Sequence, residues 1–399
     1  MAFPLLSIII AIIGIAILLG VAFLMSNDKK NVNFKAIGIM IAVQLLLTWF
    51  LLATKVGLTV IEAIANVFNK ILAYAQEGID FVVGGWIPDG GGPFFVNVLL
   101  PIVFTSVLFA VLTHIRVLPY IIKLVGGLLS KITGLPKVES FNAINSIFFG
   151  QTEALLAIRT HVEKFEKNRL FIVSTSAMAS VSAALIASYM TMLPSKYVLV
   201  ACVLNMFSAL VMASIIAPVK VSKEESDIDI DDMIRSKNVF DAIGNGALDG
   251  GKVVLIVSAM LMGYLGILAL LNGFFNGIFG MELTTIVGYI FAPIAWLMGI
   301  PANEIIASGS IMGMKMFSNE FVAILEFQPM IADLSAKTVA VISTFLISFA
   351  NFSSIGIIVG GVQAINGAKA REVSGFGLKL LLVATMASLL SATLVGLFA

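Results

Sequence analysis

Apolar residues run along this chain in long blocks, and polar residues collect in the gaps between them. Eight blocks stand out: Pro4–Met25, Ala36–Ala53, Phe95–Leu112, Leu170–Met192, Tyr197–Pro218, Val253–Phe275, Thr338–Gly361 and Phe376–Ala399. Each is about 18–25 residues long, and about 20 residues of α-helix cross the hydrocarbon core of a bilayer. The pattern predicts an all-α polytopic membrane protein with about eight transmembrane helices. Residues 55–84 break the pattern, with apolar positions at helical spacing and polar ones between them. That stretch predicts an amphipathic helix lying in the membrane interface rather than a span. Ile87–Pro93 reads as a loop by its glycines and prolines, and the mixed-charge Ser222–Lys237 as a flexible one.

Composition strengthens this picture. The 399 residues are 59% hydrophobic and 12% charged, whereas a soluble domain averages about 25% charged. The first block has no charged n-region and no A-x-A site, so it reads as a true span and not a signal peptide. The single cysteine, Cys202, excludes an intrachain disulfide. A net charge of +1 gives no reason to expect a nucleic-acid partner.

Charge also orients the chain. With the segment after the first span placed on the cytoplasmic side, 18 of the 24 lysines and arginines face the cytoplasm. Lys55, Lys70, Lys196 and Lys337 face outward. This obeys the positive-inside rule and predicts a multi-pass protein of the plasma (inner) membrane with both termini outside the cytoplasm.

Two segments then resemble each other: "GLPKVESFNAINSIFFGQTEALLAI" from Gly134 and "GIPANEIIASGSIMGMKMFSNEFVAIL" from Gly299. Both open on Gly-x-Pro and reach a polar cluster that ends in glutamate, Glu153 and Glu320. An amphipathic piece precedes each, Leu118–Ile132 and Thr284–Met298, and two spans follow each. One copy begins inside and the other outside, so the repeats are inverted. The 14 or so residues between Pro136 and Gly150 make about 21 Å of helix, too short for a core of about 30 Å. Two re-entrant helical hairpins fit, with their polar tips near the midplane. Inverted repeats with broken elements at that depth are a transporter signature.

The organisation that follows has four parts. Residues 1–115 hold spans one to three and the interfacial helix 55–84. Residues 116–219 form the first inverted repeat, with an interfacial helix, hairpin 1 and spans four and five. Residues 220–283 hold the cytoplasmic loop and span six. Residues 284–399 form the second repeat, with an interfacial helix, hairpin 2 and spans seven and eight.

Span four carries Ser180 and Ser182, which fit either a break or small-residue helix packing. Span seven carries Asn351, Ser353 and Ser354 beside Gly356, Gly360 and Gly361, which reads as an unwound segment. Intramembrane Glu153 and Glu320 are functional candidates by their cost alone. Lys315, five residues before Glu320, reads as structural and as a possible cation for it. Glu139, Glu304, His114 and His161 read as interfacial or loop-placed. No metal-ligand cluster, nucleotide-phosphate loop or cofactor motif appears, so uphill transport would draw on an ion gradient. A lining of acids, amides and hydroxyls disfavours anions and suits a neutral, hydroxyl- and amide-bearing molecule. Phe148, Phe149, Phe349 and Phe352 are available to stack on a flat ring. A membrane-embedded enzyme using paired carboxylates as acid and base is the rival reading, and no nucleophile or metal set accompanies it. A channel is a third, against which the inverted hairpins argue.

"GQTEA" in hairpin 1, "SNEFVA" in hairpin 2 and "SFANFSSIGI" in span seven resemble the concentrative nucleoside transporter family, bacterial branch, over nearly the whole chain. The resemblance implies a homotrimer in the lipid bilayer and an elevator mechanism of alternating access. It implies that Gln151, Thr152 and Glu153 contact the nucleobase and that Glu320, Asn351 and Ser354 hold the ribose. Phe349 and Leu185 would pack on the base. It also implies a coupling-cation position around Ser146, Phe149, Ser180 and Val181, for H+ or Na+. Sodium-coupled members resemble one another in an asparagine where this chain has Ser146. A hydroxyl is a weaker ligand than an amide carbonyl, so proton coupling is the expectation, with Glu153 or Glu320 as the titrating group and sodium coupling as the alternative.

Overall fold

The computed structural model describes residues 3–86, 92–219, 230–234 and 236–399. Most of the loop expected at Ile87–Pro93 and most of Ser222–Lys237 fall outside the described residues. No strand occurs among those described.

Helices α1 (Phe3–Leu24), α2 (Phe34–Ala53) and α3 (Lys55–Val83) open the chain. In α3, Gly57, Ile61, Ala75, Ile79 and Val83 make one buried stripe, and Lys55, Glu62, Lys70, Glu77 and Asp80 are exposed. That two-faced pattern is what an interfacial helix requires. Eight helices are long and apolar enough to span a membrane by length and composition, but they are not the expected eight. Helix α3 meets those criteria and span seven does not, since its two halves, of 11 and 12 residues, fall short singly, whereas span four counts across its break as Lys167–Met192.

A one-turn π-helix, Phe95–Leu99, leads into α4 (Pro101–His114), and α5 (Val117–Thr133) follows. Hairpin 1 is α6 (Lys137–Phe148) and α7 (Gln151–Leu156); α8 (Arg159–Val162) leads out of it. Span four is α9 (Lys167–Met178) and α10 (Ala183–Met192), and span five is α11 (Ser195–Ile216). Helix α12 (Val239–Phe279) continues for 41 residues, roughly 60 Å at 1.5 Å per residue. The expected span began only at Val253; Gly246 and Gly250 before it do not interrupt the helix because they pack it. A Cβ on Gly246 or Gly250 would lie 2.7 Å from the Cα of Val107 or Val103 on α4, so small residues are what bring these helices together.

The second half repeats the plan. Helix α13 (Leu283–Leu297) corresponds to α5. Helices α14 (Ile305–Phe317) and α15 (Glu320–Phe327) form hairpin 2. Span seven is α16 (Ala336–Leu346) and α17 (Phe352–Gln363). Helices α18 (Gly367–Gly375) and α19 (Gly377–Gly396) end the chain. The first arms, of 12 and 13 residues, reach about 18–20 Å.

Two glutamates expected at interfaces are buried and express the repeat. Glu139, three residues after Pro136, accepts from Arg169 Nε at 2.5 Å and Nη2 at 2.6 Å, near the start of α9. Glu304, three residues after Pro301, accepts from Ser335 N at 3.0 Å and Oγ at 2.7 Å, at the N-cap of α16. Each glutamate ties the root of its hairpin to the first half of the broken span that follows. A buried carboxylate needs such donors.

Burial separates an inner from an outer set of helices. The apolar stretches of α9–α10, α11 and α19 are 89%, 89% and 83% buried, against 17% in α1, 28% in α2 and 11% in α12. The hairpins and broken spans lie in the inner set, so polar groups at the breaks meet protein and not lipid.

Candidate functional site

The site is built where helices stop. Helix α9 ends at Met178 and α10 begins at Ala183; α16 ends at Leu346 and α17 begins at Phe352. Broken backbone at membrane depth is tolerated where its polar groups find partners, and here they do. Phe349 N donates to Ser180 O at 3.0 Å, joining the two breaks main chain to main chain. Asn205 of α11 reaches across with its Nδ2 to Ile347 O.

Asn351 is the N-cap of α17. Its Oδ1 accepts from Ser354 N at 3.0 Å and from Ser353 Oγ at 2.7 Å, satisfying free donors of the helix start. That capping role aims its Nδ2 at Glu320 Oε2, 3.2 Å away. The other oxygen, Glu320 Oε1, accepts from Tyr189 Oη at 2.9 Å, and the Tyr189 ring packs on Phe321 with centroids 4.9 Å apart. Glu320 is 5% exposed. Asn319 caps α15 by accepting from Val322 N at 3.0 Å, which places Glu320 at the first helical position.

Hairpin 1 meets this group from the other side. Gln151 Nε2 donates to Ser354 Oγ at 2.9 Å, bridging residues 203 apart in sequence. Gln151 Oε1 is buried without a hydrogen-bond partner among the described residues, an acceptor left for a donor from outside them. Thr152 packs on α17, where a Cβ on Gly361 would sit 3.2 Å from its Cγ2. Glu153 is exposed and folds back over Gly150, whose absent Cβ would be 2.6 Å from Glu153 Oε2. Leu185 is buried, and the partly buried Phe349 packs against the same apolar cluster, together with Phe148. Phe352 stacks on Phe317 at 5.6 Å.

Four of the eight residues expected at the substrate therefore join one arrangement, Gln151–Ser354–Asn351–Glu320, by hydrogen bonds, while Leu185 and Phe349 belong to the apolar cluster of this half of the molecule. Thr152 flanks it through α17, and Glu153 stands apart. The four residues expected at the coupling cation are less converged. Ser146, Ser180 and Val181 are buried and Phe149 is partly so. The Ser146 hydroxyl donates to its own helix at Asn142 O, 2.7 Å, and the Ser180 hydroxyl to Ala177 O, 3.1 Å.

Tyr189 and Asn205 were not anticipated. The available signal was a tyrosine and an asparagine inside apolar spans, since a buried hydroxyl or amide demands a partner. Lys315 forms no ion pair with a carboxylate among the described residues.

A polar cluster held between paired helix breaks inside an apolar helical bundle is the arrangement of a membrane transporter. Family models described as the N-terminus and the C-terminus of Na+ dependent nucleoside transporters match residues 13–86 and 197–396, and a nucleoside recognition (Gate) model matches residues 95–196. The chain is 38% identical to the purine nucleoside transport protein NupG of Bacillus subtilis (strain 168), over 97% of this chain and 98% of that one. It is 32% identical to the nucleoside permease NupC of Helicobacter pylori, over 97% of each. Among solved structures it resembles CNTnw in an inward-facing substrate-bound state, with a TM-score of 0.93, 32% identity and 98% of each chain covered. A doubly substituted CNTnw in an outward-facing state matches with a TM-score of 0.91. The chain belongs to the concentrative nucleoside transporter family, and it is a transporter rather than an enzyme.

Proposed function

We propose that this protein takes up nucleosides through the plasma (inner) membrane as an ion-gradient-driven symporter, with both termini outside the cytoplasm. One observation carries the reading: Gln151, Ser354, Asn351 and Glu320 form a continuous buried hydrogen-bonded line between two hairpin tips. A carboxylate facing amide and hydroxyl donors suits ribose hydroxyls. Gln151 Oε1, unpartnered, suits a donor on the base, with Thr152 and Glu153 beside it and Leu185 and Phe349 against the ring. The donors of α7 and α15 at their first turns add to the hold on polar atoms. The names of NupG and NupC support nucleosides as the substrate class, and NupG supports including purine nucleosides.

The inner helices, with both hairpins, would move as one body past an outer scaffold in an elevator cycle, in a homotrimer embedded in the bilayer. The contrast between the deeply buried inner spans and the open apolar faces of α1 and α12 supports that division.

Proton coupling is the reading for the driving ion. The Ser146 hydroxyl is tied to its own helix at Asn142 O, and this one short hydroxyl is a weaker ligand for a hard cation than the longer amide carbonyl of sodium-coupled members. Glu320 or Glu153 would carry the proton. Sodium coupling is the second reading, favoured by the Na+ dependent description of the family models.

Proteoliposomes test both parts. Labelled uridine and adenosine should accumulate under an imposed pH gradient without sodium; accumulation only under a sodium gradient at equal pH overturns the proton reading. Uridine monophosphate should compete poorly, because phosphate recognition calls for arginine or lysine and the lining offers acids. Equal competition by uridine and its monophosphate would overturn the substrate assignment.

A further inference from the structure

Lys315 has no task in that mechanism, yet its side chain is fully buried. Its Nζ donates to Phe345 O and, at 2.6 Å, to Ser348 Oγ, and it lies 4.2 Å from the centroid of the Phe345 ring. Ser348 in turn shares a 2.7 Å bond with Ser388 of α19. Removing an ammonium from water is costly unless charge or dipoles replace the water. Here the replacement is the C-terminal end of α16, where free carbonyls and the helix dipole favour a cation, together with an aromatic face.

The repeat gives this place a counterpart. Lys315 stands two residues before the end of α14 at Phe317, and Ser146 stands two residues before the end of α6 at Phe148. Ser348 lies two residues past the end of α16, and Ser180 two residues past the end of α9. Phe345 and Ala177 are the penultimate residues of those two half-helices. Ser180 Oγ donates to Ala177 O at 3.1 Å, much as Lys315 Nζ donates to Phe345 O. Helix α6 packs on α9 as α14 packs on α16. The ammonium therefore occupies, in the second repeat, the position bounded in the first by Ser146 and Ser180.

We propose that Lys315 is a tethered cation: its ammonium fills the second repeat's counterpart of the coupling-ion position and closes it to sodium or any other free cation. The proposal rests on the assignment of that ion position to Ser146, Phe149, Ser180 and Val181. A cation on a side chain cannot leave during the cycle. It keeps hairpin 2 docked on the break of span seven in every state, and only the first repeat is left to exchange an ion.

Melting of the purified full-length protein in sodium chloride and in choline chloride, at equal ionic strength, tests this with the natural chain, Lys315→Ala and Ser146→Asn. Lys315→Ala should be destabilised in choline and regain roughly 2–4 °C of Tm with sodium or with ethylammonium. Ethylammonium restores the lost end of the side chain. A Lys315→Ala response to both ions no larger than the natural chain's overturns the proposal. Ser146→Asn reads the first repeat alone: if it gains no sodium response while Lys315→Ala does, the first-repeat assignment and with it the counterpart claim are overturned, and only the filling of a cation site by the Lys315 ammonium stands. If Lys315→Ala does not fold, Lys315→Arg and Lys315→Met decide. Retained uridine uptake in the arginine variant with a loss of ~10-fold or more in the methionine variant supports the ammonium role. Uptake and Tm of Lys315→Met equal to those of the natural chain overturn it.

Discussion

Glu153 and Glu320 end the same polar motif in the two repeats, yet they live in opposite surroundings. Glu320 is buried, and both of its oxygens are held, one by Tyr189 and the other by Asn351. Glu153 is exposed and leans over Gly150. The cause lies in register and in the caps: Glu320 is the first residue of α15, where α7 has Gln151, and Glu153 is the third residue of α7. Hairpin 2 starts its second arm with Asn319, whose side chain fixes the first turn of α15. Hairpin 1 starts its second arm with Gly150, which offers no capping side chain. One tip is thus fixed by a side-chain cap and the other has none. In the proposed orientation the fixed tip holds the ribose, which all nucleosides share, and the uncapped tip, left adjustable, meets the base, which varies.

The contrast can be broken by mutation, and the largest effect should fall on the fixed tip. Glu320→Gln should reduce uridine uptake in proteoliposomes by ~100-fold or more, since it removes a charge from buried donors; near-normal uptake in the folded variant removes Glu320 from the site. Asn351→Ala comes next, with a loss of about 10- to 100-fold, because it strips both the bond to Glu320 and the N-cap of α17. A fall in Tm should accompany that loss, and an unchanged Tm would mean the cap matters little. Tyr189→Phe deletes one hydroxyl and should cost about 5- to 10-fold in apparent affinity for uridine at little change in Tm. Glu153→Gln should have the smallest effect on uridine, a change of about 3-fold or less, because an exposed group forfeits little. Its readout is the ranking of adenosine against uridine. Should Glu153→Gln prove as severe as Glu320→Gln, the division into a fixed and an adjustable tip collapses.

Much of this was legible in the sequence because length and pattern are local signals. The helices expected at Leu118–Ile132 and Thr284–Met298 appear as α5 and α13 within a residue or so at each end. The break in span seven was written in Asn351 and its serines, since asparagine favours an N-cap over a helix interior. The break in span four was less legible, because Ser180 and Ser182 also suit close helix packing. Tertiary partners were not legible. Tyr189 meets Glu320 across 131 residues and Asn205 meets Ile347 across 142, and no spacing rule encodes such pairs. Lys315 and Glu320 are close in sequence, but the chain leaves the helix at Ser318 and Asn319 between them, and the lysine finds the end of α16 instead. The early start of α12 was hidden because glycine lowers helix propensity locally, while the gain from packing Gly246 and Gly250 on α4 comes only with the neighbour present.

The bond from Phe349 N to Ser180 O has an evolutionary reading. It uses no side-chain atom, so any amino acid except proline at position 349 can supply its donor, and any at position 180 its acceptor. A lineage can therefore exchange the ring of Phe349, proposed to pack on the base, or the hydroxyl of Ser180, proposed at the ion position, without unfastening the two half-helix pairs from each other. Divergence in diet becomes separable from integrity of the machine.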